Sequence, residues 1–249
     1  MQHEYWIRYF EKKDSAKIRL FCLPYAGGFA EFYLSWKRLL PDWIELCPLQ
    51  LPGRSYCAHE ACSKDINELV GEIAGVIEQY ADRPFAICGH SMGSILAYEA
   101  AVRLKIKPAA LILSGGDAPN YWEKAKHLHL LPDDDLLSLM IGNGSYNTKT
   151  STAEPKSEYA WFLNTLRSDL ILCAQYRSKQ DHFFDGTTLV MYAVDDQLCN
   201  YQNLEAWKDF CPKSKFVQYE SGGHFFIREF LPNVVGHIVE TLDTVTKSA

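Results

Sequence analysis

The chain has 249 residues, 47% hydrophobic and 22% charged, the balance of an ordinary globular protein rather than a disordered, collagenous or low-complexity one. At roughly 150 residues per domain, it is long enough for one large domain or two small ones, and its core needs no covalent staples. Its net charge of −6 speaks against a nucleic-acid partner, and its longest apolar run, the six residues from Leu189 to Val194, falls far short of the roughly 20 that a membrane-spanning helix needs.

The first ten residues mix charge among apolar side chains and carry no apolar region of a signal peptide. The eight cysteines show no CxxC pair and no Cys/His metal spacing; several sit in apolar runs, where cysteine behaves as a small buried hydrophobe. Reduced, structural thiols and a cytoplasmic location are the expectation.

Ile18 to Leu23 is the first apolar run of strand length, and the glycine-rich loop Leu23-Pro-Tyr-Ala-Gly-Gly28 follows it. A second run, Ile44 to Leu49, precedes Leu51-Pro-Gly-Arg54. Ile66, Leu69, Val70, Ile73, Ala74 and Ile77 then recur at the spacing of an amphipathic helix, with Asp65 and Glu68 placed to cap its start. Phe85 to Cys88 predicts a buried strand; Met92 to Leu104, apolar on nearly every side, predicts a buried helix. Ala109 to Leu113 is a further strand.

From about Asp117 to Asp181 helical patterns stand without a strand. Pro132 followed by Asp133, Asp134 and Asp135 marks a helix start. Tyr159, Phe162, Leu163, Leu166 and Leu170 form a second helical stripe, while Gly142-Asn-Gly144 and Thr150 to Ser157 read as loops. Two strands, Thr188 to Val194 and Lys215 to Tyr219, lead to a final amphipathic helix through Val234, Val235, Ile238, Val239 and Leu242. Alternating strands and helices predict one α/β domain over residues 1–249. Its mostly parallel sheet is covered on both faces, with the active site at the carboxyl ends of the strands. The insertion at about 117–181 reads as a lid over that site.

Gly89-His-Ser91-Met-Gly93 is the sharpest chemical signal. A GxSxG pattern arises by chance in roughly one chain in ten of this length, but here a buried strand precedes it and a buried helix follows. That is the setting of a nucleophile elbow, whose tight turn leaves no room for a Cβ at either glycine. A serine nucleophile needs a base, and the base needs an orienting acid. His224, in the small-residue loop Ser221-Gly-Gly-His224 after the last strand, is the best-placed histidine. Asp195 and Asp196 follow the strand before it, and Asp117 follows an earlier one. Asp196 leads, since Ser91, Asp196, His224 is the chain order of the α/β hydrolases, with Asp195 and Asp117 as rivals. The oxyanion hole needs two backbone N–H groups: one from Met92, the other from the loop ending at Gly28.

LPYAGG at 23–28, LPGR at 51–54, GHSMG at 89–93, LPDDD at 131–135, LRSDL at 166–170 and GGH at 222–224 occur in the order seen in type II thioesterases, the stand-alone editing enzymes of nonribosomal peptide and polyketide assembly lines. The chain resembles that family from about residue 18 to 240. The resemblance implies an α/β-hydrolase fold and hydrolysis of acyl groups from the phosphopantetheine arm of acyl or peptidyl carrier proteins, with no metal or bound cofactor. It places the acid in a Gly-x-x-Asp pattern, which Ala193-Val-Asp-Asp196 keeps in spacing though not in its glycine, and it maps the oxyanion donors onto Ala26 and Met92.

Phe29, Phe32, Tyr33 and Phe162 are candidates for an acyl channel, with core packing as the alternative; Arg54 either is structural or faces the phosphopantetheine. Lys124, Lys126, Arg177 and Lys179 are candidates for docking an acidic carrier. The rival readings are a medium-chain acyl hydrolase of fatty acid synthesis, a general carboxylesterase and a silent interaction module. A monomer is the default expectation.

Overall fold

The computed structural model describes residues 4–142, 155–178 and 182–247. Strands β1 (Ile18–Leu23), β2 (Ile44–Pro48), β3 (Phe85–His90), β4 (Ala110–Ser114), β5 (Thr187–Ala193) and β6 (Ser214–Tyr219) form one sheet in the order β2-β1-β3-β4-β5-β6. All five pairings are parallel. Each strand lies within two residues of an apolar run in the sequence. β1 to β4 are buried along their whole length, as strands sandwiched between helical layers must be; β6, at the edge, is only partly covered.

Among the described residues, seven α-helices accompany the sheet: α1 (Ile66–Gln79), α2 (Met92–Arg103), α3 (Asp133–Gly142), α4 (Pro155–Gln175), α5 (Trp207–Phe210), α6 (Phe226–Glu229) and α7 (Leu231–Lys247). Asp65 caps α1, its Oδ1 accepting from the N–H groups of Asn67 at 2.6 Å and Glu68 at 3.1 Å. The buried stripe of that helix runs through Ile66, Leu69, Val70, Ile73, Val76 and Ile77. Val76 thus joins the predicted positions, while Ala74 is only partly buried. α1 and α2 cover one face of the sheet, in a core that includes Phe21, Ile87, Leu96 and Leu111. α7 and the 3-10 segment Ala30–Arg38 cover the other, packing on Leu20, Cys88, Ile112 and Met191.

Between β4 and β5 the regular structure among the described residues is helical: a 3-10 stretch, Pro119–Leu130, then α3 and α4. Leu136, Met140, Phe162, Leu163, Leu166 and Leu170 form a separate small core, against which Ala26 packs. Pro155–Ser157, read as loop from sequence, is instead the first turn of α4, where a proline at the first position is well accommodated. Asn143, Gly144 and residues 150–154 of the expected loops lie outside the described residues, and so does the side chain of Tyr159.

The chain leaves β1 toward β2 on one side and continues from β3 outward on the other. β1 and β3 are therefore neighbours, with Leu23 opposite Gly89. Such a reversal of strand order opens a crevice beyond the carboxyl ends, and it sets the 23–28 loop beside the 89–93 turn.

Candidate active site

Ser91 sits between β3 and α2 at φ 55° and ψ −122°, a backbone conformation that a non-glycine residue holds only under constraint. The constraint is visible in its neighbours. Ser91 N–H donates to the Ser114 carbonyl at 2.8 Å, and Ser94 N–H donates to the Ser91 carbonyl at 2.8 Å. A Cβ on Gly89 would fall 1.9 Å from the Gly93 carbonyl oxygen, and one on Gly93 would fall 2.3 Å from that of Leu23. The two glycines thus let the strand, the helix and the end of β1 close on one another behind the serine. Met92, the first residue of α2, has its N–H among the amides that a helix start leaves without intrahelical acceptors.

His224 lies in the 3-10 turn Gly223–Phe225, after Gly222 at φ 106° and Gly223 at φ 55°. Its Nδ1 donates to Asp196 Oδ2 at 2.8 Å, with both side chains buried. The other Asp196 oxygen accepts from the N–H groups of Leu198 at 2.8 Å and Cys199 at 3.0 Å, so the carboxylate is locked before it meets the imidazole. Asp195 points to the backbone instead, accepting from Gly223 N–H at 2.8 Å and Gly222 N–H at 3.2 Å. Asp117 is buried, and its Oδ1 accepts from Asn200 N–H at 3.1 Å.

His90, inside the elbow, is fully buried with its ring centroid 5.0 Å from that of His224. Its Nδ1 lies 3.0 Å from Ser114 Oγ. Burial, and secondarily the neighbouring His224, holds its pKa well below 6.5, which makes it a weak proton acceptor.

Ser91, Met92, Ala26 and His224 all face one cavity of about 370 Å³. Its walls come from the ends of the strands and their loops (Tyr25, Leu198, Phe225) and from the helical stretch between β4 and β5 (Trp122, Leu128, Met140, Leu166, Leu170, Cys173). Burial pushes the Cys173 thiol up to about 12, which keeps it protonated and out of competition with the serine. Among the described residues no His, Cys, Asp and Glu cluster is arranged to hold a metal ion, and no helix is long and apolar enough to cross a membrane.

The thioesterase domain model matches residues 18–242. The chain belongs to the thioesterase family. It is accordingly a hydrolase acting on thioesters, on the α/β-hydrolase fold. It is 34% identical to the gramicidin S biosynthesis protein GrsT of Aneurinibacillus migulanus over 229 residues, covering 90% of this chain and 88% of that one. It is 29% identical to the human medium-chain S-acyl fatty acid synthase thioesterase, covering 87% and 83%. The structure of the type II thioesterase BorB from the borrelidin biosynthetic cluster superposes with a TM-score of 0.84 at 28% identity, over 97% of this chain and 99% of that one.

Three residues expected at the substrate of this thioesterase are absent from the lining of this cavity. Arg54 is 1% exposed and bonds Asp169 through two nitrogens, at 2.6 and 2.7 Å; its planar fork is spent on a carboxylate of α4, and it does not line the cavity. Phe29 stacks on Trp161 with ring centroids 5.6 Å apart, and Phe162 is buried in the core between α3 and α4. Phe32 and Tyr33 pack beneath the site, the Tyr33 hydroxyl donating to the Leu23 carbonyl at 2.7 Å. Sequence reasoning passed over Tyr25, Trp122, Met140, Leu166 and Phe225 as cavity walls. Leu166 carried a signal, since it begins LRSDL, and Tyr25 belongs to LPYAGG. Of the four candidate docking cations, Arg177 is exposed just beyond the end of α4; Lys179 and the side chains of Lys124 and Lys126 lie outside the described residues.

Proposed function

We propose that this thioesterase removes acyl groups from the phosphopantetheine arm of carrier proteins in nonribosomal peptide or polyketide biosynthesis, by a serine acyl-enzyme route. The observation that carries the mechanism is the 2.8 Å bond between Asp196 and His224 Nδ1 at a cavity shared with Ser91. With Nδ1 so engaged, Nε2 is the nitrogen that takes the Ser91 proton as Oγ attacks the thioester carbonyl. Asp196 fixes the tautomer and stabilises the imidazolium. The N–H groups of Ala26 and Met92 hold the oxyanion, each worth about 3–4 kcal/mol of barrier. The C–S bond breaks, and the leaving sulfur takes the proton from His224. Water then adds to the acyl-serine with His224 again as base, giving the acid and free Ser91. The carrier and pathway assignment draws support from GrsT and BorB, whose names place them in gramicidin S and borrelidin biosynthesis.

A holo carrier protein loaded with acetyl, propionyl or longer groups, followed by intact mass, tests the proposal. Deacylation by the wild type and none by Ser91→Ala is the expected result; intact acyl-carrier in both contradicts it. The fatty-acyl alternative is favoured by the apolar wall of Leu128, Met140, Leu166 and Leu170 and by the human relative. It predicts a preference for medium chains over two- and three-carbon groups on the same panel.

A further inference from the structure

The segments LPYAGG, LPGR and LRSDL are far apart in sequence, yet they meet at one buried ion pair. Asp169, on α4, and Arg54, after β2, each have side chains 2% exposed. Asp169 Oδ2 accepts from Arg54 Nη1 at 2.6 Å and from the backbone N–H of Gly27 at 2.7 Å, while Oδ1 accepts from Arg54 Nη2 at 2.7 Å. Arg54 also donates to the carbonyls of Gly28 at 3.3 Å and Pro52 at 3.2 Å. A carboxylate and a guanidinium removed from water need such full satisfaction, or each costs several kcal/mol.

Residues Tyr25 to Gly28 form a tight turn: Gly28 N–H donates to the Tyr25 carbonyl at 2.8 Å, and Gly27 has φ 73°, the value required at the third position of a type II turn. A trans peptide sets its N–H opposite its C=O, so the bond at the Tyr25 carbonyl turns the Ala26 N–H outward from the turn. The next peptide is the one whose N–H Asp169 accepts. That is the central plane of the turn; its flip would leave the direction of the Ala26 N–H unchanged, so what Asp169 fixes through it is the place of the turn against α4. α4 also packs closely against it, since a Cβ on Gly27 would lie 3.2 Å from Leu166 Cβ.

We propose that Arg54 and Asp169 are positioning residues for the oxyanion hole: through Gly27 they anchor the turn so that its outward Ala26 N–H stands where it meets the transition state, and they tie that position to the placement of α4. The inference rests on the serine-thioesterase reading and on Ala26 as a donor. Movement of α4 away from the body would break the Gly27 contact, so the hole is complete only with the insertion in place.

The test replaces the pair as a unit, Arg54→Met with Asp169→Leu, which removes both charges together and leaves no buried ion alone. Wild-type turnover of an acyl-pantetheine is measured first; its absence speaks against the serine-thioesterase reading, whereas its presence with unchanged variants speaks against the positioning role. In the folded double variant kcat falls about 10- to 100-fold with KM within twofold. The inhibition constant of an alkyl boronic acid, whose adduct with Ser91 places an oxygen in the hole, rises by the same factor. Asp169→Asn, nearly isosteric, loses one of the carboxylate's bonds and gives a smaller fall in kcat with a matching rise in that constant. Unchanged kcat and boronate affinity in either folded variant, or a change confined to KM, overturns the proposal.

Discussion

Asp195 and Asp196, adjacent in the chain, hold the same histidine loop by different handles: one carboxylate takes the imidazole of His224, the other the backbone N–H groups of Gly222 and Gly223. Both stand in the turn just after β5, where the Asp196 N–H lies 3.4 Å from the Ala193 carbonyl oxygen it faces, and the turn sends one side chain inward and the other outward. Asp196 is the buried member and Asp195 the exposed one.

That division predicts unequal losses. Asp196→Asn lowers kcat by about 10³- to 10⁴-fold by admitting the wrong imidazole tautomer. Asp195→Asn, which only loosens the loop, costs about tenfold, and Asp117→Asn leaves kcat within a few-fold of wild type. Single-turnover deacylation of a loaded carrier measures all three. A deeper loss in Asp117→Asn than in Asp196→Asn would reverse the assignment of the acid.

The glycines of the chain should separate sharply in a denaturation series. Gly89→Ala and Gly93→Ala place a methyl within 2.3 Å of backbone oxygens, and backbone cannot yield as a side chain can; each is expected to cost more than about 4 kcal/mol. Gly71 and Gly75, inside α1, have no neighbouring atom within 4 Å of where a Cβ would stand, and should instead gain about 0.5–1 kcal/mol each on mutation to alanine. Urea unfolding monitored by circular dichroism gives both signs.

His90 makes stability depend on pH. Burial first, and His224 second, holds its folded pKa well below 6.5, while the unfolded chain titrates near 6.5. Below that value the unfolded state binds more protons, so stability falls with pH by up to about 1.4 kcal/mol per unit, until the folded value is reached. Above it the contribution is constant. His90→Gln removes this dependence: between pH 7.5 and 5.0 wild type should lose about 1–2 kcal/mol more than the variant. Parallel losses in urea unfolding at the two pH values would contradict it.

Met140, on α3, faces the cavity from the insertion, so Met140→Trp shortens the space beyond the reacting carbonyl. kcat/KM for acyl groups of six or more carbons should fall about tenfold or more, with acetyl transfer to water nearly unchanged, since each methylene denied its place costs about 1–3 kcal/mol. A uniform loss across chain lengths would show that Met140 shapes the fold rather than the substrate site.

The elements and the strained turn at Ser91 were legible in the sequence because their signals are local. The apolar runs that became β1 to β6, the Asp65 cap and the GxSxG turn each depend on residues a few positions apart. Placing acids and histidines at strand ends was enough to expect Asp196, ahead of Asp195 and Asp117, beside His224, and the 2.8 Å bond joins those two. What was not legible is direction at a distance. Arg54 and Asp169 are 115 residues apart, and no periodicity states that a guanidinium in a turn after β2 will meet a carboxylate on α4. Phe29 and Phe162 had the right chemistry for an acyl channel, but their rings face Trp161 and the α3–α4 core. Only the packing decides which aromatic near a site lines it.

Seven of the eight thiols are buried, and Cys62 alone among them is partly exposed. Its sulfur would lie 2.2 Å from a Cβ on Gly53, so it rests against the turn from which Arg54 reaches across to α4. The native chain therefore offers a single natural attachment point for a thiol-directed fluorophore, beside the contact that ties body to insertion. A dye there would report whether the contact between Arg54 and α4 changes when substrate binds, on a protein with no cysteine added or removed.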